Sequence, residues 1–116
     1  MELKHSDRLG SQLLAISLRL EELNSELHRT RVHAHRLASR LEDARFARLV
    51  GGEAGDPDEL TPELQAVRAR LECQEQLVQQ VRQRQWKTRV SYVAVRARER
   101  RERAEGTEPE ARGEVE

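Results

Sequence analysis

The 116-residue sequence has few aromatic side chains: one Trp, one Tyr and one Phe. Compact globular cores usually depend on several aromatic residues, because each of them buries a large area. Hydrophobic residues make up 36% of the chain and charged residues another 36%. The apolar residues are mostly Leu, Val and Ala. This composition is typical of long, exposed helices that meet along a narrow apolar seam, and it argues against a globular fold.

Cysteine is equally scarce, and the sequence has no long apolar run. Cys73 is alone, which excludes an intrachain disulfide and favours a reducing compartment, the cytoplasm or else the nucleus. The most apolar stretch covers residues 13–20 and is shorter than the roughly 20 residues that a membrane span requires. We therefore expect no transmembrane helix and no signal peptide.

The residues that support catalysis or metal binding lack the neighbours they need. Cys73 lies beside acidic residues, which do not activate a thiol. His33 and His35 are two positions apart and so point to different sides of a helix. The glycines of residues 51–55 are not followed by the Lys-Ser/Thr pair of a phosphate loop. We predict no catalytic residue, no cofactor and no metal, and a protein that is not an enzyme.

A heptad pattern dominates the first half of the chain. Apolar residues recur at alternating steps of four and three, which is the spacing of a coiled-coil seam. The series consists of Leu9, Leu13, Ile16, Leu20, Leu23, Leu27, Thr30, Ala34, Leu37, Leu41 and Ala44. Asp7 or Ser6 is a plausible N-cap, and Gly51 with Gly52 offers a helix stop. This pattern predicts a first helix over residues 7–50.

A second heptad seam follows an acidic turn rich in Gly and Pro. Its residues are Leu60, Leu64, Val67, Leu71, Gln74, Val78, Val81, Gln85, Thr88, Tyr92 and Val95. Thr61 and Pro62 read as the N-cap and first position of the second helix. Polar seam residues such as Gln74 and Gln85 either fix the register of a coiled coil or lie where the seam drifts into solvent. Past Gly106 the composition is typical of disorder.

Two seams joined by one short turn predict an all-α fold, an antiparallel helical hairpin or coiled coil that assembles into a larger helical bundle. Hairpin geometry places partners whose residue numbers sum to about 110, so that Leu20 meets Tyr92. The predicted segments are a flexible N-terminus over 1–6, helix 1 over 7–50, an acidic loop over 51–60, helix 2 over 61–103 and a disordered acidic tail over 104–116.

Apolar residues outside the seams form two further stripes at the predicted open end of the hairpin. On the first helix they are Leu3, Leu14 and Leu18, and on the second they are Trp86, Val90, Val93 and Ala97. Such residues are either scattered surface positions, which are common, or a face that binds another helix. We favour the binding face and expect Trp86 to contribute most, since Trp is enriched among interface hot spots.

Basic residues cluster near the C-terminus of the second helix. Residues 82–103 hold nine bases and two acids, and the densest part consists of Arg96, Arg98, Arg100, Arg101 and Arg103. A run of this kind binds nucleic acid, directs nuclear import or contacts anionic lipid. The simpler interpretation is a solvated helix end, which cations stabilise through the helix dipole.

These features predict a coiled-coil interaction protein, a structural or adaptor subunit of a cytoskeletal, centrosomal, ciliary or vesicle-tethering assembly. Its expected partners are proteins, either further copies of itself or a heteromeric coiled-coil chain. One alternative is a nuclear nucleic-acid or chromatin accessory factor that uses the Arg-rich segment, residues 82–103. A third hypothesis is an amphipathic helix that lies on a membrane surface, although few bases flank the leucine-rich face of residues 1–27.

Overall fold

Two long helices make up the computed structural model, which describes the backbone of residues 5–53 and 55–115 and the side chains of residues 5–53 and 55–105. Helix α1 spans His5–Val50 and helix α2 spans Pro57–Val115. They pack together as a helical hairpin, which confirms the fold class predicted from the heptads. The assembly of hairpins into a larger bundle stays a prediction.

The first helix begins at His5 rather than at residue 7. Neither Ser6 nor Asp7 is its N-cap, because both lie inside the helix. The Ser6 side chain is buried, and its hydroxyl donates a hydrogen bond to Glu99 Oε2 at 2.7 Å. The predicted flexible segment therefore already contains two helical residues, His5 and Ser6. Its remaining part, residues 1–4, lies outside the described residues.

The end of α1 has the glycine stop that the sequence predicts. Gly51 has a φ of 78°, a left-handed conformation that only glycine adopts readily. The amide of Gly52 then donates a hydrogen bond to the carbonyl oxygen of Ala47 at 2.7 Å. This bond is the six-to-one bond of a Schellman motif, which satisfies a carbonyl group that the helix end would otherwise leave unpaired.

The second helix begins at Pro57, four residues before the predicted start. The reason is that Asp56, not Thr61, is its N-cap: the Asp56 carboxylate accepts a hydrogen bond from the amide of Asp58 at 2.9 Å. Pro57 then occupies the first helical position, where a missing amide hydrogen does no harm. The Thr61 hydroxyl donates to the carbonyl oxygen of Pro57 at 2.8 Å and caps nothing.

The bounds of α2 also extend past the predicted end at residue 103, to Val115. Of the predicted acidic tail, only residues 104 and 105 belong to the described side chains, and both are exposed. The disordered tail stays a prediction.

The chain divides into two compact units. The turn unit contains Arg19–Val81, and the terminal unit contains Met1–Leu18 together with Arg82–Glu116. Two apolar clusters form the core of the turn unit, and all of their buried members are seam residues named above. The larger cluster is built on Leu37, Leu41, Ala44, Leu60, Leu64 and Val67, and the smaller one on Leu23, Leu27 and Val78. The predicted seam is therefore confirmed in this unit.

Packing in the terminal unit is looser. The seam residues Leu9, Leu13, Tyr92 and Val95 are only half-buried there, and Ile16 is the one described seam residue of this unit that is buried. Tyr92 lies close to Gly10, since a Cβ atom at residue 10 would be 3.3 Å from Tyr92 Cε2. A side chain at residue 10 would require the tyrosine ring to shift by a few tenths of an ångström.

The predicted register was wrong by about one to two helical turns. In the turn unit, Arg31 pairs with Glu75 and Arg48 with Asp56. In the terminal unit, Ser17 pairs with Gln85 and Ser6 with Glu99. The residue numbers of these pairs sum to between 102 and 106, and Tyr92 meets Gly10 rather than Leu20. The early start of α2 explains the shift, because it shortens the turn.

Candidate interaction site

The second helix carries an exposed apolar stripe in the terminal unit. This Trp86 stripe consists of Trp86, Val90, Val93 and Ala97. The exposed fractions are 65% for Trp86, 49% for Val90 and 59% for Val93, while Ala97 is half-buried. Spacings of four, three and four place these side chains on one side of α2. Large apolar side chains at this exposure are available for contact with another chain.

The first helix carries a smaller stripe in the same unit. Leu14 is 63% exposed and Leu18 is 52% exposed, and the two are four residues apart on one side of α1. Leu3, the third residue predicted for this face, lies outside the described residues.

The two stripes share a unit but do not form one surface. At 100° per residue, each stripe lies about 150° around its own helix from the seam. Each helix therefore presents its stripe away from the other helix, and the hairpin has two outer apolar faces. No hydrogen bond or apolar cluster described in the structure connects Leu14 or Leu18 with Trp86.

The predicted basic residues divide between two sides of α2. All five, Arg96, Arg98, Arg100, Arg101 and Arg103, are exposed. Arg96, Arg100 and Arg103 are spaced by four and three and therefore share one side, whereas Arg98 and Arg101 lie on another. The carboxylate of Glu99, within this run, accepts the hydrogen bond from Ser6. One residue within this basic run therefore helps to hold α2 against α1.

A second line of arginines borders the Trp86 stripe. Arg82, Arg89 and Arg96 recur every seven residues and are exposed. Arg82 lies four residues before Trp86 and Arg89 four residues before Val93, so this row runs beside the stripe. None of the ion pairs between described residues involves any of these three arginines. The stripe is therefore an apolar strip with a positive border.

The turn unit holds an exposed apolar surface that the sequence analysis missed. This turn-end surface consists of Phe46, Leu49 and Val50, which are 66%, 85% and 64% exposed. The signal was present in the sequence, because the three residues have the three-and-four spacing of one helix face. It was overlooked because the heptad series ends at Ala44, just before it.

Charged side chains border the turn-end surface, and most of them are acidic. Glu42 and Asp43 precede Phe46 by four and three residues, and both are exposed and outside the ion pairs of the described chain. Two bases lie on the same border: Arg45, which is exposed and four residues before Leu49, and Arg48, which is held by Asp56 at 3.2 Å and by Asp58 at 3.7 Å. The carboxylates of Glu42, Asp43, Asp56 and Asp58 outnumber these two bases. This surface therefore has an apolar centre and a border of net negative charge.

The described residues offer little chemistry beyond these surfaces. No group of three or more His, Cys, Asp or Glu side chains within residues 5–53 and 55–105 is arranged to hold a metal ion. Cys73 is a free, exposed thiol. Within the part of the chain that was described, neither helix is long and apolar enough to cross a membrane.

Comparison with known proteins returns no family model, no curated protein and no solved structure that matches this chain. The exposed surfaces and the fold are accordingly the basis on which a function is proposed.

Proposed function

We propose that this chain is a non-enzymatic coiled-coil interaction protein, a structural or adaptor subunit of a larger protein assembly in the cytoplasm. The observation that carries the proposal is the Trp86 stripe, where Trp86, Val90 and Val93 are each about half exposed or more. Apolar side chains aligned at three-and-four spacing are the usual contact set of a helix that docks against another helix. The cytoskeletal, centrosomal, ciliary and vesicle-tethering settings remain the proposed contexts.

The loose packing of the terminal unit supports the same proposal. All of its described seam residues except Ile16 are half-buried, whereas the turn unit has two buried apolar clusters. A single seam buries little apolar area. Covering the apolar side chains of the terminal unit with a partner would therefore stabilise the hairpin. A partner helix against Trp86 and Val90 would provide that cover.

The proposal is tested by measuring the mass of the chain by sedimentation equilibrium, alone and as the variant Trp86→Ala. We expect the wild-type chain to associate and the variant to be monomeric with nearly unchanged helicity by circular dichroism, because Trp86 touches solvent more than core. Leu77→Ala is the matched control: Leu77 is an apolar residue of the same helix, 40% exposed and outside the stripe. Association of Trp86→Ala to the same mass as an associated wild-type chain would contradict the assignment.

A nucleic-acid accessory role is the alternative, and one observation favours it: Arg96, Arg100 and Arg103 share one exposed side of α2. Binding through phosphate contacts is strong at low ionic strength and weakens steeply as salt is added. A titration with duplex DNA and with single-stranded RNA at low salt tests this role. Absence of binding under those conditions rules it out.

A further inference from the structure

The turn-end surface and the Trp86 stripe have opposite electrostatic borders. Phe46 and its neighbours are bordered by Glu42 and Asp43, whose carboxylates form no ion pair among the described residues. The Trp86 stripe is bordered by an arginine row that is equally without ion pairs. Complementary borders around apolar centres are the arrangement that selects one partner surface over another.

Pairing of like surfaces is disfavoured by the same charges. Two Trp86 stripes placed face to face in antiparallel orientation would bring the rows of Arg82, Arg89 and Arg96 together, and two turn-end surfaces would bring together two borders that both have net negative charge. Like charges brought together at an interface are repulsive and suppress the wrong pairing. Pairing a Trp86 stripe with a turn-end surface avoids both repulsions.

We propose that the occupant of the Trp86 stripe is the turn-end surface of a second copy of this chain, so that copies associate head to tail. This inference rests on the proposed function, since it names the partner of the same stripe. Phe46, Leu49 and Val50 of one copy cover Trp86, Val90 and Val93 of the next. Glu42 and Asp43 then meet the arginine row.

Head-to-tail contacts have a consequence that like-with-like contacts lack. Each copy has one surface of each kind, so a bound pair still has one free stripe and one free turn-end surface. Heterologous contacts of this type either close into a ring or continue as an open filament. We expect the mass of the wild-type chain to increase stepwise with concentration and to fall when salt screens the charged borders.

The test is a complementation experiment with two variants, Trp86→Glu and Leu49→Glu. Each places a charge in the centre of one surface at an exposed helical position, where glutamate is a good helix former. Circular dichroism verifies that both variants stay helical. Ala66→Glu is the control, because it adds the same charge at an exposed position of α2 outside both surfaces; it should associate as the wild-type chain does.

We expect each variant alone to sediment as a monomer of 13.4 kDa. An equimolar mixture should form a dimer and nothing larger, because the intact stripe of Leu49→Glu binds the intact turn-end surface of Trp86→Glu.

Three other results would overturn the inference, and they differ in what they leave standing. If Leu49→Glu still associates while Trp86→Glu does not, copies pair through like stripes, and the stripe remains an interface. If the wild-type chain is monomeric at every concentration, the stripe binds a different protein, and only the proposed adaptor role survives. If Trp86→Glu associates as the wild-type chain does, the stripe is not an interface and the proposed function loses its support as well.

Discussion

Replacing Gln74 by leucine should stabilise the hairpin. Gln74 occupies a seam position of the turn unit, and its Oε1 atom is buried and accepts no hydrogen bond. The Thr30 hydroxyl lies at the matching level of α1, but it donates its hydrogen bond to the carbonyl oxygen of Glu26 at 3.1 Å. A buried acceptor without a donor costs about 1–3 kcal/mol of stability. Gln74→Leu removes that cost and continues the apolar seam between Leu71 and Val78.

We therefore expect Gln74→Leu to raise the free energy of unfolding by about 1–3 kcal/mol. Gln85→Leu is the matched comparison, because Gln85 Nε2 donates to Ser17 Oγ at 3.1 Å. That change loses a hydrogen bond of about 0.5–1.5 kcal/mol and gains a similar amount from apolar contact, so its net effect should be close to zero.

Urea unfolding followed by circular dichroism measures both changes, at several protein concentrations so that self-association is separated from folding. Sedimentation of each variant verifies that the leucine has not altered the oligomeric state. If Gln74→Leu is no more stable than the wild-type chain, then Oε1 has a partner in solution and the reasoning about this layer fails.

Two further substitutions test the packing of the turn unit. Leu23→Ala, at a side chain that is 2% exposed, should reduce the free energy of unfolding by about 2–5 kcal/mol; a loss below that range in urea unfolding would mean that the seam is not a closed core. Asp56→Ala removes the acceptor for the amide of Asp58 and should cost about 0.5–2 kcal/mol, with Asp56→Asn as the control that retains a capping oxygen and most of the stability.

The heptads predicted the fold because burial in a two-helix pair follows directly from residue spacing. Leu23, Leu37 and Leu64 are buried as their seam positions require. The register was not predictable in the same way, because it depends on which residue caps α2. Asp56 and Thr61 are both good N-caps, and only the turn geometry selects Asp56.

The candidate site was predicted in part. Exposure of Trp86, Val90 and Val93 follows from their distance around the helix from the seam. Leu14 and Leu18 face away from the Trp86 stripe because the two seams face each other and each set of exposed residues lies about 150° around its helix from the seam. The turn-end surface was not predicted because the heptad series stops at Ala44, and Phe46, Leu49 and Val50 follow it.

The contacts between the helices differ greatly in how much chain separates the two partners, and this has a consequence for the order of folding. Arg48 and Asp56 are eight residues apart, Arg31 and Glu75 are 44 apart, and Ser6 and Glu99 are 93 apart. Contacts across short loops form first because closing a short loop loses the least chain entropy. During synthesis, the two clusters of the turn unit can form before Glu99 exists. The hydrogen bond from Ser6 is therefore among the last contacts to form. The N-terminal residues of α1 can pack against α2 only after nearly the whole chain has been synthesised.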